Sequence, residues 1–545
     1  MTDRVKQILY LDFPREEPLI VRDLSWLVDS ILFGYNRPFG YHYGNVIYHS
    51  LTVVLAFLLL LRLTSFNTAL ISAVLLLALA AHIEPVAWIM GRKDILSTLF
   101  SLGCILLFLK FRAGQSQNSR LLLYTASLVL AGAAYLSKTN AVVLPGILFI
   151  CALIDTEQIV RDGFSFRQFG GIVRTLFLQV LPFFVIGLGV YLWYKSVLAD
   201  YGLFDGTLKY SYGDYKRLIF VTNPLIFIEY LKIILVPWDL EAYYTAPSLF
   251  TKFSGVQITQ AVLVYLFAPA AMVLLWRFNR TSCLLFLCFL VAMLPYGNWI
   301  HFGFWYANRY VYFSSIFFVA GLSSLVVGLS TQSAPRFVKM TAILALAWIF
   351  AHNMVYRSQY LGVWRNGETL WQHEISIAGA SIHDYNNLTA NYLGEAEDSS
   401  PGNRAIWLEK ARAVNEEVFA LDVPRHEQSW LPVAYYYKGL ILAYSNAPLE
   451  AQLQAFLQAV DSSTGFSRAL RSTGVIYYQL ATRETNPERR KELAKTALDY
   501  MRMYFESDEN SQRARREQRD MLQRLNREFP DLAIPEIETE KHSIQ

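Results

Sequence analysis

The chain has 545 residues, of which 54% are apolar and 17% charged, and its formal net charge is +4. Soluble globular proteins carry about 25% charged residues, so this composition argues against an ordinary soluble enzyme and predicts a membrane protein. Residues 357–545 hold 22 Lys and Arg against 27 Asp and Glu, whereas residues 1–356 hold 26 against 17. A basic membrane part followed by an acidic soluble part is not the pattern of a nucleic-acid-binding protein.

The first 45 residues form a polar segment without the apolar core of a signal peptide. We expect residues 1–45 to be exterior or interfacial. Two explanations of this segment stay open, of which we favour the first. Either a transmembrane helix precedes it in the natural protein, or residues 5–33 lie along the membrane interface as an amphipathic segment.

Residues 46–356 contain ten apolar stretches that are long enough, or nearly long enough, to cross a bilayer. They lie at 46–63, 67–82, 95–111, 121–137, 139–154, 175–194, 256–276, 281–296, 310–328 and 339–356. The basic residues of the short loops all fall on one side of this arrangement, which the positive-inside rule makes cytoplasmic. They are Arg62, Lys110, Arg112, Arg120, Arg161, Arg167, Arg174, Arg277, Arg280, Arg336 and Lys339. Segments 83–94, 195–255 and 297–309 and the C-terminal domain are therefore predicted to be exterior, which in a bacterial inner membrane means periplasmic.

The four cysteines lie within apolar stretches of the predicted membrane part. They are Cys104, Cys151, Cys283 and Cys288. The acidic part of the chain has none, so neither part offers the spaced cysteines of a disulfide framework or a zinc site. We predict four small buried residues and no metal site among them.

The acidic part, residues 357–530, has a helical and repetitive pattern. Gly439 and Gly474 are 35 residues apart, close to the period of about 34 residues in tetratricopeptide repeats. Gly394 suggests an earlier, degenerate repeat. The alternative is a nonrepetitive helical bundle. The tail 531–545 has little to bury and is predicted to be disordered.

Polar residues cluster at the predicted exterior ends of the apolar spans, where charges are energetically unfavourable and tend to be functional. Four segments share this property: NRPFGYHYGNVIYHS (36–50), HIEPVAWIMGRKD (82–94), LSKTNAVVLPG (136–146) and ANRYVYF (307–313). Their Arg and Lys residues predict a site for an anion such as a phosphate, and an acid among them predicts a base or a ligand of a divalent cation. The residues concerned are His42, His49, His82, Glu84, Arg92, Lys93, Asp94, Lys138 and Arg309.

Each cluster also has a purely structural explanation. Asp94 could stabilise the start of the helix that begins near Ile95. Tyr310 could belong to the belt of aromatic residues at the membrane interface. His42 and His49 are more simply explained as packing histidines than as metal ligands. Only the convergence of all these clusters on one membrane face favours a ligand site.

The four segments, in this order, resemble a known family, the transmembrane and tetratricopeptide-repeat O-glycosyltransferases. These are O-mannosyltransferase-like membrane enzymes of the GT-C fold class. The resemblance covers roughly residues 18–400 and is most specific at 82–99. It is carried by GYHYGNVIYHS, HIEPVAWIMGRKDILSTLF, YLSKTNAVVLPGILFICALID, LKIILVPWDLEAYY, NRYVYFSSIFF and VWRNGETLW.

The resemblance implies an all-α protein in which a polytopic GT-C-like transmembrane domain precedes a tetratricopeptide-like helical domain that binds an acceptor or partner protein. It implies that a sugar linked to a polyprenyl phosphate arrives through the membrane lipid and is transferred to an exterior protein. The donor phosphate would be bound by Arg92, Lys93, Lys138, Arg309 and His42. The catalytic acids would be Asp12, Glu84 and Asp94.

Three departures from the family pattern support an alternative function. The family has a first transmembrane helix followed by a loop with paired acids, where this chain offers only Asp12, Glu16 and Glu17. The His-Pro pair that usually precedes HIEP is missing, and Asn308 stands where the family has an acid. The alternative is a catalytically inactive GT-C-like membrane subunit or scaffold whose repeat domain binds partner proteins. A transporter fits less well, because polar residues at the membrane midplane and broken helices are not prominent.

Overall fold

The computed structural model describes most of the chain, and every regular element within the described ranges is a helix. These ranges are 19–157, 166–200, 212–244, 254–297, 306–331, 334–378, 381–422, 428–507, 520–521, 523–524 and 527–529. The predicted disordered tail and the candidate base Asp12 lie outside them. The chain divides into two compact units, Met1–Arg365 and Asn366–Gln545. The sequence placed this boundary after residue 356, where the last apolar stretch ends, but the helix itself continues to Val363.

The first unit is a bundle of helices around one continuous apolar core. Its α-helices are α1 (Ile20–Phe33), α2 (Pro38–Leu63), α3 (Phe66–Ala78), α4 (Ile83–Ala87), α5 (Arg92–Ala113), α6 (Gln117–Ser137), α7 (Leu144–Glu157), α8 (Phe166–Asp200), α9 (Tyr212–Leu235), α10 (Gly255–Phe278), α11 (Arg280–Met293), α12 (Val311–Thr331) and α13 (Arg336–Val363). Short 3-10 turns join several of them near the site described below.

The chain is a multi-pass membrane protein. Among the described residues, eight helices are long and apolar enough to cross a bilayer, or nine if the bent pair Phe66–Ala78 and Ala80–Ala87 forms one span. This pair bends by 61°, and the apolar helix Arg280–Tyr296 is shorter than the others. Each of the ten predicted spans falls on one of these helices, because a long apolar run determines a spanning helix without reference to the rest of the fold.

Several of these helices begin at residues whose side chains satisfy the first free backbone N–H groups. Ser65, Ser116 and Asn279 each accept a hydrogen bond from the backbone N–H three residues further on. Ser254 forms a reciprocal capping box with Gln257. Such polar caps let the next helix begin within a few residues of the end of the previous one, which favours the short turns of the bundle.

Helix α1 has its charged face turned inward and its apolar face outward. Arg22, Asp23 and Asp29 are buried, whereas Val28 is 49% and Leu32 68% exposed. This is the reverse of a helix on a water-soluble protein, and it is the distribution expected where the outer face meets lipid. The segment that the sequence described as polar thus contains an amphipathic helix that contributes charges to the interior.

Helix α9 lies in segment 195–255, which the sequence treated as one exterior stretch. Its residues Ile226, Tyr230 and Ile234 recur at helical spacing and are buried in the core of the first unit. Helix α9 is therefore an integral part of the bundle. The sequence signal was weak because Glu229 and Lys232, which pair with each other at 2.7 Å, interrupt the apolar run.

An ion-pair cluster joins three helices at the end of the bundle that the sequence predicts to be cytoplasmic. Arg62 of α2 donates two hydrogen bonds to Asp155 of α7, at 2.9 and 3.3 Å. Arg112 of α5 donates to the Ala152 carbonyl and to the Thr156 hydroxyl, both at 2.8 Å. Arg62 and Arg112, which the sequence predicts to lie on the cytoplasmic side, thus also hold the ends of these helices together.

The second unit is built from helical hairpins. Its α-helices are α14 (Gly367–Ala378), α15 (Ile382–Asp398), α16 (Pro401–Val418), α17 (Leu431–Tyr444), α18 (Leu449–Ser462), α19 (Ser467–Arg483) and α20 (Pro487–Ser507). Helices α15 and α16, α17 and α18, and α19 and α20 pack as successive pairs. A Cβ added to Gly439 would lie 2.4 Å from the Phe456 ring, and one added to Gly474 would lie 2.8 Å from the Met501 sulfur.

Each glycine is therefore closely packed against the second helix of its own hairpin, although Gly439 lies 17 and Gly474 27 residues before the side chain that it meets. Gly394 differs, because a Cβ there would meet open space. Close packing at a glycine is thus found in α17–α18 and α19–α20 but not at Gly394, and the tetratricopeptide-like repeat stays a prediction.

Candidate functional site

A sharply folded segment carries five of the predicted site residues, His82, Glu84, Arg92, Lys93 and Asp94. After α3 the chain makes a 3-10 turn, the short helix α4, a second 3-10 turn and then α5. A Cβ at Gly91 would lie 2.5 Å from the Pro85 carbonyl oxygen, so only glycine permits this close approach of two backbone segments. Asn45 of α2 donates hydrogen bonds to the carbonyls of Val86 and Trp88, at 3.1 and 3.2 Å, and so holds the fold of the segment.

The first ion pair joins this segment to the start of α12. Arg309 Nη1 donates to Glu84 Oε1 at 2.5 Å, and the Arg309 backbone N–H donates to Glu84 Oε2 at 3.1 Å. Both side chains are buried. The Arg309 guanidinium also lies 5.2 Å from the ring centroid of Trp88 and 5.2 Å from that of Tyr310. Both carboxylate oxygens of Glu84 are thereby occupied.

The second ion pair joins the first turn of α5 to the turn after α6. Lys138 Nζ donates to Asp94 Oδ1 at 2.5 Å. The ammonium group lies 5.4 Å from the ring centroid of Tyr296 and 5.2 Å from that of Tyr310, and these two rings stack at 4.3 Å. Asp94 Oδ2 is buried and has no hydrogen-bond partner among the described residues.

Tyr310 connects the two ion pairs. Its ring centroid is 5.2 Å from Lys138 Nζ and 5.2 Å from Arg309 Cζ, so the two cations are no farther apart than the sum of these distances. The aromatic rings of Trp88, Tyr296 and Tyr310 and the Lys138 side chain are partly exposed, whereas the acids beneath them are buried. The result is a small polar site with an aromatic rim, at helix ends of the bundle.

Arg92 is turned toward other partners. Its guanidinium forms an ion pair with Asp29 of α1, and it donates to Asn45 Oδ1 at 2.6 Å and to the Tyr41 carbonyl at 2.5 Å. The side chain is fully buried. A Cβ at Gly44 would lie 2.7 Å from the guanidinium. Arg92 thus braces α1 and α2 against α5, and its geometry does not fit the predicted phosphate-binding role.

The remaining predicted residues lie at the edge of the site or inside the bundle. Lys93 is buried on the first turn of α5, beside Asp94. His42 lies on an exposed part of α2, near the backbone of Ala87. His49 shares a hydrogen bond of 2.7 Å with the Tyr312 hydroxyl and packs inside the bundle.

His82 is also an interior residue. Its Nε2 is 2.9 Å from the Ser315 hydroxyl, and its ring centroid lies 5.8 Å from that of His49. Both histidines thus have hydroxyl partners within the bundle, as packing histidines do.

Asn308 fastens a neighbouring segment to the site. Its Oδ1 accepts from the Tyr244 hydroxyl at 2.6 Å and its Nδ2 donates to the Glu241 carbonyl at 2.7 Å. The Leu240 N–H donates to the Tyr356 hydroxyl at 2.7 Å. An amide is suited to this position because it donates and accepts at once, which the carboxylate of the family pattern does not.

Sequence reasoning missed Asp29, Asn45, Trp88 and Tyr296 as members of the site and its supports. Asp29 could have been found, because a carboxylate within the apolar run WLVDSILF is energetically unfavourable without a partner. The other three are common residue types in membrane proteins, and nothing in their spacing distinguishes them.

The site does not fit a divalent cation. Within the described residues, no group of three or more His, Cys, Asp or Glu side chains is arranged to hold a metal ion. Glu84 and Asp94, the acids available for that role, each bind a cationic side chain instead.

Comparisons with family models, curated proteins and solved structures give no significant match to this chain.

Proposed function

We propose that this protein is a membrane glycosyltransferase that moves a sugar from a polyprenyl-phosphate donor to an exterior protein. The observation that supports this function is the placement of Lys138 and Arg309 around one partly exposed tyrosine, Tyr310, at helix ends of the bundle. A lipid-linked donor arrives within the bilayer, so its phosphate would meet the protein at such a position. The resemblance to the GT-C O-glycosyltransferases gives the same assignment.

The two cations suit a phosphate leaving group. Arg309 Nη1 donates to Glu84, and the planar fork of a guanidinium matches the geometry of a phosphate. Lys138 spends one bond on Asp94, and an ammonium has three donors. In a site with little water, these donors would stabilise the negative charge that develops on the departing phosphate.

The proposed reaction is a direct displacement at the anomeric carbon. The acceptor hydroxyl oxygen bonds to that carbon while the bond to the phosphate oxygen breaks, and the electron pair leaves on the phosphate. A base takes the hydroxyl proton. Asp94 is better suited than Glu84 for this role, because among the described residues Asp94 Oδ2 has no hydrogen-bond partner, whereas both oxygens of Glu84 accept from Arg309. Asp12 stays a candidate from sequence alone.

The finer architecture and location belong to the same proposal. The successive hairpins of the second unit, with a closely packed glycine in two of them, support a tetratricopeptide-like domain that binds the acceptor. The proposal places the protein in a bacterial inner membrane with that domain on the periplasmic side, and the basic loops support this orientation.

A catalytically inactive membrane subunit or scaffold is the second candidate. It is favoured by the internal neutralisation of the site, since Arg309 pairs with Glu84 and Lys138 with Asp94. Asn308, which replaces the family's acid, is also fully committed to structural hydrogen bonds.

Substitution of Arg309 separates the two functions. In purified protein in detergent, Arg309→Ala should weaken binding of a polyprenyl-phosphate sugar by about ten- to a hundredfold, since it removes a charge-assisted contact of about 1.5–3 kcal/mol. Arg309→Lys should recover part of the affinity, because a point charge replaces only part of the planar fork. Arg336→Ala, at the exposed start of α13, is the matched control and should bind normally.

Transfer to a Ser/Thr-containing acceptor is measured with the same protein. Wild-type transfer, together with the loss of donor binding in Arg309→Ala, would support the enzyme. Wild-type protein that neither binds the donor nor transfers sugar would refute it and leave the scaffold. The double variant Glu84→Gln/Arg309→Ala, which keeps the shape of the Glu84 side chain but leaves no unpaired carboxylate, checks that a loss in Arg309→Ala does not arise from leaving Glu84 unpaired.

A further inference from the structure

Helix α9 carries a buried tyrosine that takes no part in the ion pairs of the polar site. Tyr230 is 2% exposed, and its hydroxyl group has no hydrogen-bond partner among the described residues. The other buried tyrosines in the described part of the first unit all have such partners. They are Tyr135, Tyr244, Tyr312 and Tyr360. Tyr230 therefore differs from every tyrosine with which it can be compared.

An unpartnered hydroxyl group in an apolar interior lowers the stability of a protein. Nearly all buried polar groups are hydrogen-bonded, because burial without a partner forfeits the bonds that the group makes to water. A phenylalanine would fill the same space as Tyr230 without this loss. Residues that lower stability are commonly retained where function needs them. The Tyr230 hydroxyl group is thus a candidate to bind a ligand.

Tyr230 packs beside the segment that carries Arg309 and Tyr310. Its ring meets that of Tyr306 edge to face, with centroids 6.4 Å apart and ring planes at 90°. Tyr306 is itself held by Tyr244, whose ring stacks on it at 4.2 Å. Because Tyr306 lies only three residues before Arg309, this contact brings α9 against the polar site.

The neighbours of the Tyr230 hydroxyl group belong to the polar site. The group lies within range of electrostatic interaction with the Arg309 guanidinium and with the side chains of Tyr296 and Tyr310. The rings of Tyr296, Tyr306 and Tyr310 are partly exposed, and aromatic side chains turn about their χ1 and χ2 bonds. The side chains next to this hydroxyl group can therefore turn to admit a ligand.

We propose that the Tyr230 hydroxyl group donates a hydrogen bond to the phosphate group of the lipid-linked donor, beside Arg309. The class of ligand, a polyprenyl phosphate, rests on the proposed function. A neutral tyrosine donates without adding charge, and its bond to a charged phosphate oxygen is stronger than one between neutral groups. Tyr230 thus joins Lys138 and Arg309, so that donors from three separate parts of the bundle converge on one anion.

The test uses Tyr230→Phe, which removes only the hydroxyl group, and two probes that differ only in the phosphate. Farnesyl phosphate is a short polyprenyl phosphate, and farnesol is the same chain without the phosphate. Calorimetric titration of the full chain in detergent measures the binding of each. Tyr230→Phe should weaken binding of farnesyl phosphate by about tenfold, the effect of one hydrogen bond to a charged group, and leave binding of farnesol unchanged.

Tyr124→Phe is the matched control. It removes a hydroxyl group that donates to the Gln179 carbonyl at 2.7 Å, about four turns of α6 away from Lys138. This variant should bind farnesyl phosphate normally and melt at a lower temperature than wild type. Tyr230→Phe should show the reverse pattern, with weaker binding of the phosphate and a melting temperature no lower than that of wild type.

Three results would overturn the proposal. The first is equal binding of farnesyl phosphate by wild type and Tyr230→Phe, and the second is a lower melting temperature of Tyr230→Phe with both probes weakened alike, which indicates a structural role. The third is a wild-type protein that binds farnesyl phosphate no more tightly than farnesol. Mannosyl farnesyl phosphate is a further probe, because a loss seen with this ligand alone would assign the hydroxyl group to the sugar and refute the phosphate contact.

Failure of this proposal is distinguishable from failure of the enzyme. Weaker binding of farnesyl phosphate alone, in a protein that transfers no sugar, would uphold the role of Tyr230 and refute the glycosyltransferase. Sugar transfer by the wild type, together with normal binding of farnesyl phosphate by Tyr230→Phe, would uphold the glycosyltransferase and refute the role of Tyr230.

Discussion

Gly439→Ala should destabilise the α17–α18 hairpin, although alanine is the better helix former. The added Cβ would lie 2.4, 2.6 and 2.8 Å from three ring atoms of Phe456. Ordinary carbon contacts are about 3.5–4.0 Å, so the ring must move by about 1 Å. Phe456 is 2% exposed and packs in a cluster with Leu449 and Ile476, so the movement disturbs a filled interior.

The magnitude follows from two opposing terms. Overpacking a filled core destabilises it by about 1–3 kcal/mol, and contacts this short place the substitution toward the upper end. Replacing a helical glycine with alanine stabilises by about 1 kcal/mol. The net loss is therefore about 2 kcal/mol, which corresponds to roughly thirtyfold faster opening-limited amide exchange in the affected helices.

Hydrogen exchange of the full chain in detergent, read by mass spectrometry on peptides from α17 and α18, measures this change. Gly394→Ala is the matched control, because it lies inside α15 with nothing within 4 Å of the added Cβ. It should slow exchange in α15 by about fivefold, the gain in helix propensity alone. If Gly439→Ala also slowed exchange, the close packing against Phe456 would be wrong. Gly474→Leu, against Met501, should behave like Gly439→Ala.

Asp29→Asn should lower the stability of the detergent-purified protein by about 3–5 kcal/mol, since it leaves the buried Arg92 without its counter-charge. An unchanged midpoint of thermal aggregation would contradict a stabilising role of the Arg92–Asp29 ion pair. A tag inserted after Gln115 should report cytoplasm and a tag at the C terminus the exterior, measured by accessibility in intact cells; both tags on one side would refute the orientation. The hydrogen bond from Lys410 holds the pKa of Glu368 below its usual value. Because this stabilisation is present above the unfolded pKa and lost as pH falls through the folded one, Glu368→Gln should show less loss of stability in acid than wild type.

The membrane spans could be predicted from the sequence because each depends on its own residues. An apolar run of sufficient length satisfies its backbone hydrogen bonds as a helix whatever surrounds it. Helix α9, which is not among these spans, was missed as a helix of the bundle because Glu229 and Lys232 interrupt its apolar run. These charges are tolerated because they pair with each other one turn apart, and a pair is much less unfavourable than two separate charges.

It was easier to predict which residues belong to the polar site than to predict which acid forms an ion pair with which cation. Glu84, Asp94, Lys138 and Arg309 stand out as charges at the ends of apolar spans. Which acid meets which cation depends on tertiary packing, and composition treats Arg92 as equivalent to Arg309. Only the structure shows that Asp29, a residue the sequence passed over, directs Arg92 away from the site.

The separation of Glu84 from Arg309 along the chain has a consequence for the order of assembly. They are 225 residues apart, and ribosomes extend a chain by about 5–20 residues per second, so Glu84 waits about 10–45 s before its partner is made. During that interval the carboxyl group resides in a half-built bundle without its counter-charge. In a chain that ends before Arg309, the Glu84 carboxyl group stays without its counter-charge. An unpaired carboxyl group inside the bundle is a feature by which cellular quality control can recognise such a chain.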